Sequence, residues 1–492
     1  MMHDSEQSEP LVVATKSPNK AEGTAAEAME QSGGAKRNAL QATTHQTLSW
    51  ESVSPGLERV RENARTNPKL RFTSLLHHIT PDFLRAAYFS LTRKAAPGVD
   101  GVTWDAYGED LENKLNDLHG RIHRGAYRAL PSRRRMIPKP DGRERPLGIA
   151  SLEDKIVQRA VVEVLNAIYE ADFVGFSYGF RPKRSQHDAL DALAFAIEKK
   201  KVNWILDADL RAYFDTVSHS WLIRFLELRI GDRRIIRLIR KWLKAGVMED
   251  GVTSATVVGT PQGAVVSPVL SNIYLHYCFD LWANQWRHRE AHGEVIFVRY
   301  ADDYVAGFQY EDDAKAFLAV LGKRLEHFGL SLHPDKTRLL EFGRYAAERR
   351  AKRGMGKPET FTFLGFTHIC GKDKFGRFSL RRQTRRDRMR RTLQAVKEQM
   401  YKRMHHSIPE QGRWLGQVVR GYLAYHAVPT NTRAIGAFRW DIVRIWRQAL
   451  KRQSQRGKTS WKRMDVLAAQ WLPLARVIHP WPTQRFIVNH SR

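Results

Sequence analysis

The stretch Val295-Ile296-Phe297-Val298-Arg299-Tyr300-Ala301-Asp302-Asp303-Tyr304-Val305-Ala306-Gly307-Phe308 decides the fold. Two runs of β-branched and aromatic residues flank Tyr300-Ala301-Asp302-Asp303, which predicts a hairpin with two adjacent carboxylates at its tip. A third carboxylate, Asp209, closes another strand-like run, Trp204-Ile205-Leu206-Asp207-Ala208-Asp209. Hard divalent cations take oxygen ligands, so three acidic groups at two strand ends suit a pair of Mg²⁺ ions for phosphoryl transfer. Asp209 and Asp302 are the expected bridging ligands. Asp303 points the other way if the turn keeps strand alternation, which gives it the weaker role. A short acidic turn is a poor signal by itself, because surface turns favour Asp for local backbone reasons.

The rest of the chain strengthens that reading. Its 492 residues carry a formal net charge of +29, with 42% hydrophobic content. That is enough apolar material for a large core and more than one domain. A charge of this size costs self-repulsion, and its usual use is to bind a polymer of phosphates. The two cysteines, Cys278 and Cys370, cannot build a disulfide framework or a Cys-rich zinc site, and both read as buried thiols of a reducing cytosol. The nineteen histidines show no spacing typical of metal ligands. No apolar run long enough to span a membrane occurs, nor an apolar secretion signal, so a cytoplasmic location without membrane contact is expected.

Residues 1–45 lack Phe, Trp and Tyr and predict a disordered tail. Helical patterns through Phe83-Leu84, Ala87-Tyr88 and Leu91 belong to an N-terminal segment, 46–126, that precedes the mixed region and leads into it. Between 127 and 378 strands and helices mix, as in an α+β domain. Arg135 to Arg143 reads as a basic strand and turn, and Leu152 to Ile168 as a helix with Ile156, Ala160, Val164 and Leu165 on one face. From 379 to 492 the pattern is helical and basic. Residues 381–420 hold twelve Lys or Arg against three Asp or Glu. Met389, Leu393, Val396, Met400 and Met404 form one apolar stripe; Trp414, Leu415, Val418, Val419 and Tyr422 a second; and Ile435, Phe438, Ile442, Trp446 and Leu450 a third. Arg439, Arg444, Arg447 and Lys451 are expected on the outside of the third, available to phosphates.

Eight ordered blocks then carry a resemblance. They are Ala96-Pro97-Gly98-Val99-Asp100-Gly101; Ile137-Pro138-Lys139-Pro140-Asp141-Gly142 with Arg145-Pro146-Leu147-Gly148-Ile149; Ser177-Tyr178-Gly179-Phe180-Arg181-Pro182; Asp209 to Asp215; Gly259-Thr260-Pro261-Gln262-Gly263; Tyr300-Ala301-Asp302-Asp303; Leu332-His333-Pro334-Asp335-Lys336-Thr337; and Phe363-Leu364-Gly365-Phe366. Over roughly residues 60–370 the chain resembles the reverse transcriptases encoded by bacterial group II introns, the intron maturases. Arg420-Gly421-Tyr422-Leu423-Ala424-Tyr425 looks like their helical thumb.

The resemblance implies a right-hand polymerase of fingers, palm and helical thumb. It implies catalysis by Asp209, Asp302 and Asp303 and a metal set of Asp209, Leu210, Asp302 and Asp303, holding two Mg²⁺ ions with Mn²⁺ as a substitute. By position, Lys139 and Arg145 would grip the incoming triphosphate, and Gln262 would touch the nucleotide or template groove. Phe214 falls at the family's steric gate, where a flat ring excludes a ribose 2′-hydroxyl; without the motif it would be a core aromatic. Lys336 would stabilise phosphate charge, although a plain surface lysine fits nearly as well. Arg385, Arg386, Arg390, Arg391 and Lys397 are the expected nucleic-acid contacts of the thumb. Arg181 and Asp215 read as structural, and Asp100 as a turn residue. The implied partners are a group II intron RNA, an RNA template with a DNA primer, and dNTPs, and the second implied role is aid to splicing. No cysteine pairs of an HNH endonuclease occur, so second-strand cleavage is not expected. The same polymerase core would serve a host-adopted enzyme of repair or phage defence, and a splicing-only RNA-binding factor would need no intact acidic set.

Overall fold

The computed structural model describes residues 55–138, 144–249, 252–254, 259, 263–453 and 459–484. The expected tail, Lys139 and Gln262 lie outside these residues.

The chain opens with helices α1 (Pro55–Thr66), α2 (Pro81–Ser90) and α3 (Leu111–His123). Thr80 caps α2 by accepting from Phe83 N, and the helix buries Phe83, Leu84, Ala87 and Tyr88. A basic hairpin follows, β1 (Ser132–Pro138) and β2 (Glu144–Ile149), paired antiparallel from Arg133↔Ile149 to Pro138↔Glu144. Helix α4 (Leu152–Asp172) starts at Ser151, whose side chain accepts from Asp154 N. Its predicted face is fully buried: Ile156, Ala160, Val164 and Leu165 are at 0% exposure. The turn at Ala96–Gly101 docks on the start of α4. Lys155 Nζ donates to Ala96 O at 2.7 Å, and a Cβ on Gly98 would come within 2.5 Å of Ser151 Cα.

Helix α5 (Gln186–Lys199) has a capping box between Ser185 and Asp188. It leads into β3 (Trp204–Ala208), α6 (His219–Arg229), α7 (Arg233–Lys244), the short strands β4 (Val247–Glu249) and β5 (Val252–Ser254), and α8 (Ser267–Leu275). One π-helical turn, His276–Asp280, joins α8 to α9 (Leu281–Arg289). The expected hairpin is β6 (Val295–Tyr300) and β7 (Asp303–Phe308), followed by α10 (Glu311–His327) and β8 (Arg338–Glu341).

Strands β6, β7, β3 and β8 form one antiparallel sheet in the order β6-β7-β3-β8. Its two faces bury different cores, which explains runs that are apolar at every position. Leu206, Ala208, Phe297, Tyr304, Ala306 and Phe308 pack with the helices of the first core. Ile205, Val298, Val305 and Leu340 face a second core with Leu190 and Leu193 of α5 and the next three strands. Those are β9 (Phe361–Phe363), β10 (Phe366–Lys372) and β11 (Phe378–Thr384). Strand β11 pairs with β10 throughout its length, so the expected division at 378/379 falls at the start of a strand and the helical region opens at Arg386.

Helices α11 (Arg386–Lys402), α12 (Ile408–His426), α13 (Thr432–Gln453) and α14 (Trp461–Trp471) close around a third core. The predicted stripes pack there, except that Met404 lies beyond the end of α11. Two expectations are corrected. Cys278 is buried, but Cys370 is only half-buried, because β10 leaves it beside the Gly343 backbone. Arg439 and Arg447 are not free on the outer face. Arg439 donates to Pro473 O and Ala468 O, and Arg447 to Thr459 O, so both tie α13 to its neighbours.

Candidate active site

The acidic tip is built by a two-residue connection. Strand β6 ends at Tyr300, β7 begins at its pairing partner Asp303, and Ala301 takes a left-handed φ of 57°. Non-glycine residues rarely hold that conformation, so the surroundings must impose it. They do so through Arg299, which is fully buried. Its Nη1 donates to Ala301 O at 2.9 Å and to Asn272 Oδ1 at 3.0 Å; its Nη2 donates to Ser177 Oγ at 2.7 Å. Nε and Nη2, one edge of the guanidinium, also donate to the two carboxylate oxygens of Asp280, at 2.7 and 2.5 Å. Asp280 is fully buried too and comes from the π-helical turn, where the extra residue per turn redirects the side chain. Gly179 backs the tip closely enough that a Cβ there would lie 2.3 Å from Ala301 N. Its carbonyl accepts from Asn272 Nδ2 at 2.6 Å, which ties α8 to the same turn.

Asp209 follows β3 directly. Its carbonyl accepts from His333 N at 2.8 Å, and Arg211 N donates to Ser331 O at 2.9 Å, so the segment before β8 is zipped alongside. That pairing returns Lys336 to the site, with Nζ 2.5 Å from Asp209 Oδ2. Asp207, one position removed on the same face, pairs with Arg338 at 3.3 Å. The carboxyl of Asp207 is pushed up by burial, with Arg338 opposing and Asp209 adding to the shift.

Strand β7 opens at Asp303, next to Tyr304, which pairs with Ala208 at the end of β3. Asp303 therefore lies near enough to Asp209 and Asp302 for their charges to act on it. The carboxyl of Asp303 is pushed up to about 7, first by the protein around it, then by repulsion from Asp302 and Asp209. Although solvent reaches Asp303, its carboxylate sits among enough protein to lose much of its hydration. Arg388, from the first turn of α11, opposes the shift. Three carboxylates that repel one another at one strand end are a donor set suited to divalent cations. Among the described residues, no three acidic, His or Cys side chains are already drawn into a closed cage. Lys336 engages Asp209 instead, so a cation would have to displace it or share that oxygen.

The other expected residues fall as follows. Leu210 buries its side chain in the first core, so only its main-chain carbonyl could serve an ion. Phe214 is half-buried, packed against the first core and 5.3 Å edge-on to Tyr213, in a short helix entered through left-handed Ala212. Arg145 lies on β2, opposite Ile137. The block around Gln262 is described only at its flanking glycines. A Cβ on Gly259 would meet Phe214 O at 2.8 Å, and one on Gly263 would meet Leu147 and Gly148 of β2.

Arg181 is buried against Glu170 at 2.9 Å and donates to Val174 O and Ser177 O, a structural role as expected. Asp100 accepts from Val102 N within its turn. On α11, Arg386 and Arg390 are exposed, whereas Arg391 and Arg385, the residue before the helix, both pair with Asp387, at 3.1 and 2.7 Å. Lys397 lies 6.0 Å over the Tyr401 ring.

Sequence reasoning missed Arg299, Asp280 and Arg388. Asp280 sits in an apolar context, Tyr277-Cys278-Phe279-Asp280-Leu281, and an unexplained acid in such a run was the available signal. It also gave no role to Phe180, which holds a left-handed φ of 55°, is 53% exposed and lies 6.1 Å from the Tyr300 ring.

Comparison with known proteins adds a family. The model of the family described as reverse transcriptase (RNA-dependent DNA polymerase) matches residues 137–368. Protein YkfC of Escherichia coli strain K12 is 39% identical over 277 residues, covering 49% of this chain and 72% of that protein. The group II intron-encoded protein LtrA of Lactococcus lactis subsp. cremoris is 33% identical over 306 residues, which span 59% of this chain and 50% of LtrA. A nuclear intron maturase of Arabidopsis thaliana mitochondria, maturase 3, is 28% identical over 131 residues, 26% of this chain and 18% of that protein.

Proposed function

The chain belongs to the reverse transcriptase family that includes the group II intron-encoded proteins, and from that premise we propose that Asp209, Asp302 and Asp303 form its polymerase centre. The reaction is RNA-directed synthesis of DNA: a primer 3′-hydroxyl attacks the α-phosphorus of a dNTP and pyrophosphate leaves. The observation that supports the residue assignment is the Arg299-clamped acidic turn standing beside the end of β3, where Ala208 pairs with Tyr304. Two Mg²⁺ ions, when bound, lower the pKa of the attacking hydroxyl and neutralise the triphosphate.

The protein's part is orientation and charge. Asp209, Asp302 and Asp303 supply oxygen ligands, and Lys336 offers its ammonium to phosphate once Asp209 turns to an ion. Lys139, Arg145 and Gln262 are proposed nucleotide contacts, and Phe214 a wall against a 2′-hydroxyl. The basic helices beyond Arg386 would hold intron RNA, stabilising a splicing-competent RNA shape through phosphate contacts. Two assays test this reading. Purified protein should extend a DNA primer on an RNA template, lose that activity to a chelator and regain it with Mg²⁺. It should also accelerate splicing of its cognate group II intron RNA. Extension that persists in excess chelator would refute the metal assignment, and unaltered splicing would refute the maturase role.

A further inference from the structure

On the outer side of α13 and α14, two tryptophans stack on each other in solvent. Trp440 and Trp461 have ring centroids 5.0 Å apart and planes 13° from parallel, and they remain 51% and 39% exposed. The helices do not need this pair to pack. Trp446, Met464 and Ala468 fill the interface from the buried side. The guanidinium of Arg447 lies 4.4 Å over the Trp461 ring, so a cation and two indoles form one stacked column.

The surroundings of Trp440 are open and basic. Side chains on a helix lean toward the preceding turn. One turn before Trp440 stand Gly436 and Ala437, and a Cβ on Gly436 would meet nothing within 4 Å. Arg433, Trp440 and Arg444 follow at helical spacing along one exposed stripe, Arg447 being held by Thr459 and Trp461, and Lys462 and Arg463 of α14 are exposed nearby in sequence to Trp461. Asp441 offsets part of this charge through Arg444, at 3.0 Å.

From this column we infer a binding site for an unpaired nucleotide of RNA, its base stacking on the open face of Trp440 and its phosphates meeting the arginine stripe. Unpaired bases are recognised by stacking on aromatic rings and guanidinium planes, and the flanking cations complement the phosphates. The inference rests on the RNA-binding reading of this helical region, but it concerns bases where that reading concerns only charge.

The two kinds of contact separate in a salt titration. Binding of the full-length protein to a short oligouridylate and to blunt duplex RNA should be measured at several salt concentrations, for wild type, Trp440→Ala and Trp440→Phe. Trp440→Ala should weaken oligouridylate binding by about 5- to 100-fold at every salt concentration, the loss expected for one stacked base. The slope of log affinity against log salt should stay the same, since no phosphate contact is removed. Duplex binding should not change, and Trp440→Phe should recover most of the affinity. Primer extension at saturating template should stay at the wild-type rate, which separates failure here from failure of the polymerase reading. An unchanged oligouridylate affinity, an equal loss on duplex, or a lowered melting temperature with unaltered RNA binding would overturn the site and leave the two rings as a helix staple.

Discussion

Arg299 Nη1 donates to the carbonyl of Ala301 at 2.9 Å, from a guanidinium fully enclosed with Asp280. The acidic tip is therefore held from beneath by a buried ion pair, in a backbone conformation that alanine does not choose by itself.

Two substitutions probe that support. Arg299→Lys removes the planar fork and leaves the Asp280 carboxylate buried with an incomplete partner, which should cost about 3–5 kcal/mol of stability. Gly179→Ala leaves the ion pair intact but forces a methyl group against Ala301 N, 2.3 Å away. It should lower primer extension by about tenfold or more, an effect typical of misplaced catalytic groups, while RNA affinity holds. Wild-type extension by Gly179→Ala would show that the tip does not need its present position.

Phe214→Val tests the sugar gate. The ring is half-buried, so valine can replace it without opening the first core to solvent. Discrimination against ribonucleotides should fall by about tenfold or more, the scale of one relieved steric clash. Competition between dNTP and rNTP in single-nucleotide extension measures it, and an unchanged ratio assigns the gate elsewhere.

The cations of α11 should not behave alike. Arg386 and Arg390 are exposed, while Arg385 and Arg391 share Asp387. Replacing Arg386 and Arg390 by Gln should weaken binding to all RNAs and flatten the salt slope by up to about 0.7–0.9 per lost contact. Replacing Arg385 and Arg391 should do less, because each already has a carboxylate partner. Filter binding at several salt concentrations reads both, and equal slopes for the two double variants would contradict the distinction.

Three buried histidines should make the fold sensitive to acid, while carboxyls raised by burial, Asp303 among them, act in the opposite direction. Burial lowers the pKa of His276 to about 3, with Arg299 and Arg181 adding to the effect, and burial also lowers His368 and His426 to about 3. In the unfolded chain these imidazoles titrate near 6.5. Between those values the unfolded state binds more protons than the folded one, so stability rises with pH across that window and is lost as pH falls through it. At pH 5 each buried imidazole should cost on the order of 2 kcal/mol. Melting temperatures from pH 7 to 5 check this, and His276→Leu should fall less steeply than wild type.

The hairpin, the strand before Asp209 and the helical stripes were legible in sequence because each repeats with the period of its element. Ile156, Ala160, Val164 and Leu165, and later Ile435, Phe438, Ile442 and Trp446, are core for that reason. The site was legible through its acidic residues but not through its support. Arg299 and Asp280 meet across 19 positions by way of a π-helical turn, which no simple period announces. Arg439 and Arg447 show the same limit: charge on a helix face does not reveal which carbonyls the next helix brings to it.

The most direct test of the polymerase centre is primer extension on an RNA template by Asp209→Asn and Asp302→Asn, with RNA affinity and melting temperature measured on the same preparations. An amide keeps the shape of the side chain but not the negative charge that Mg²⁺ requires. Extension should fall below about one-hundredth of wild type in both variants, with RNA binding and folding unchanged. Near-wild-type extension by either folded variant would contradict the assignment.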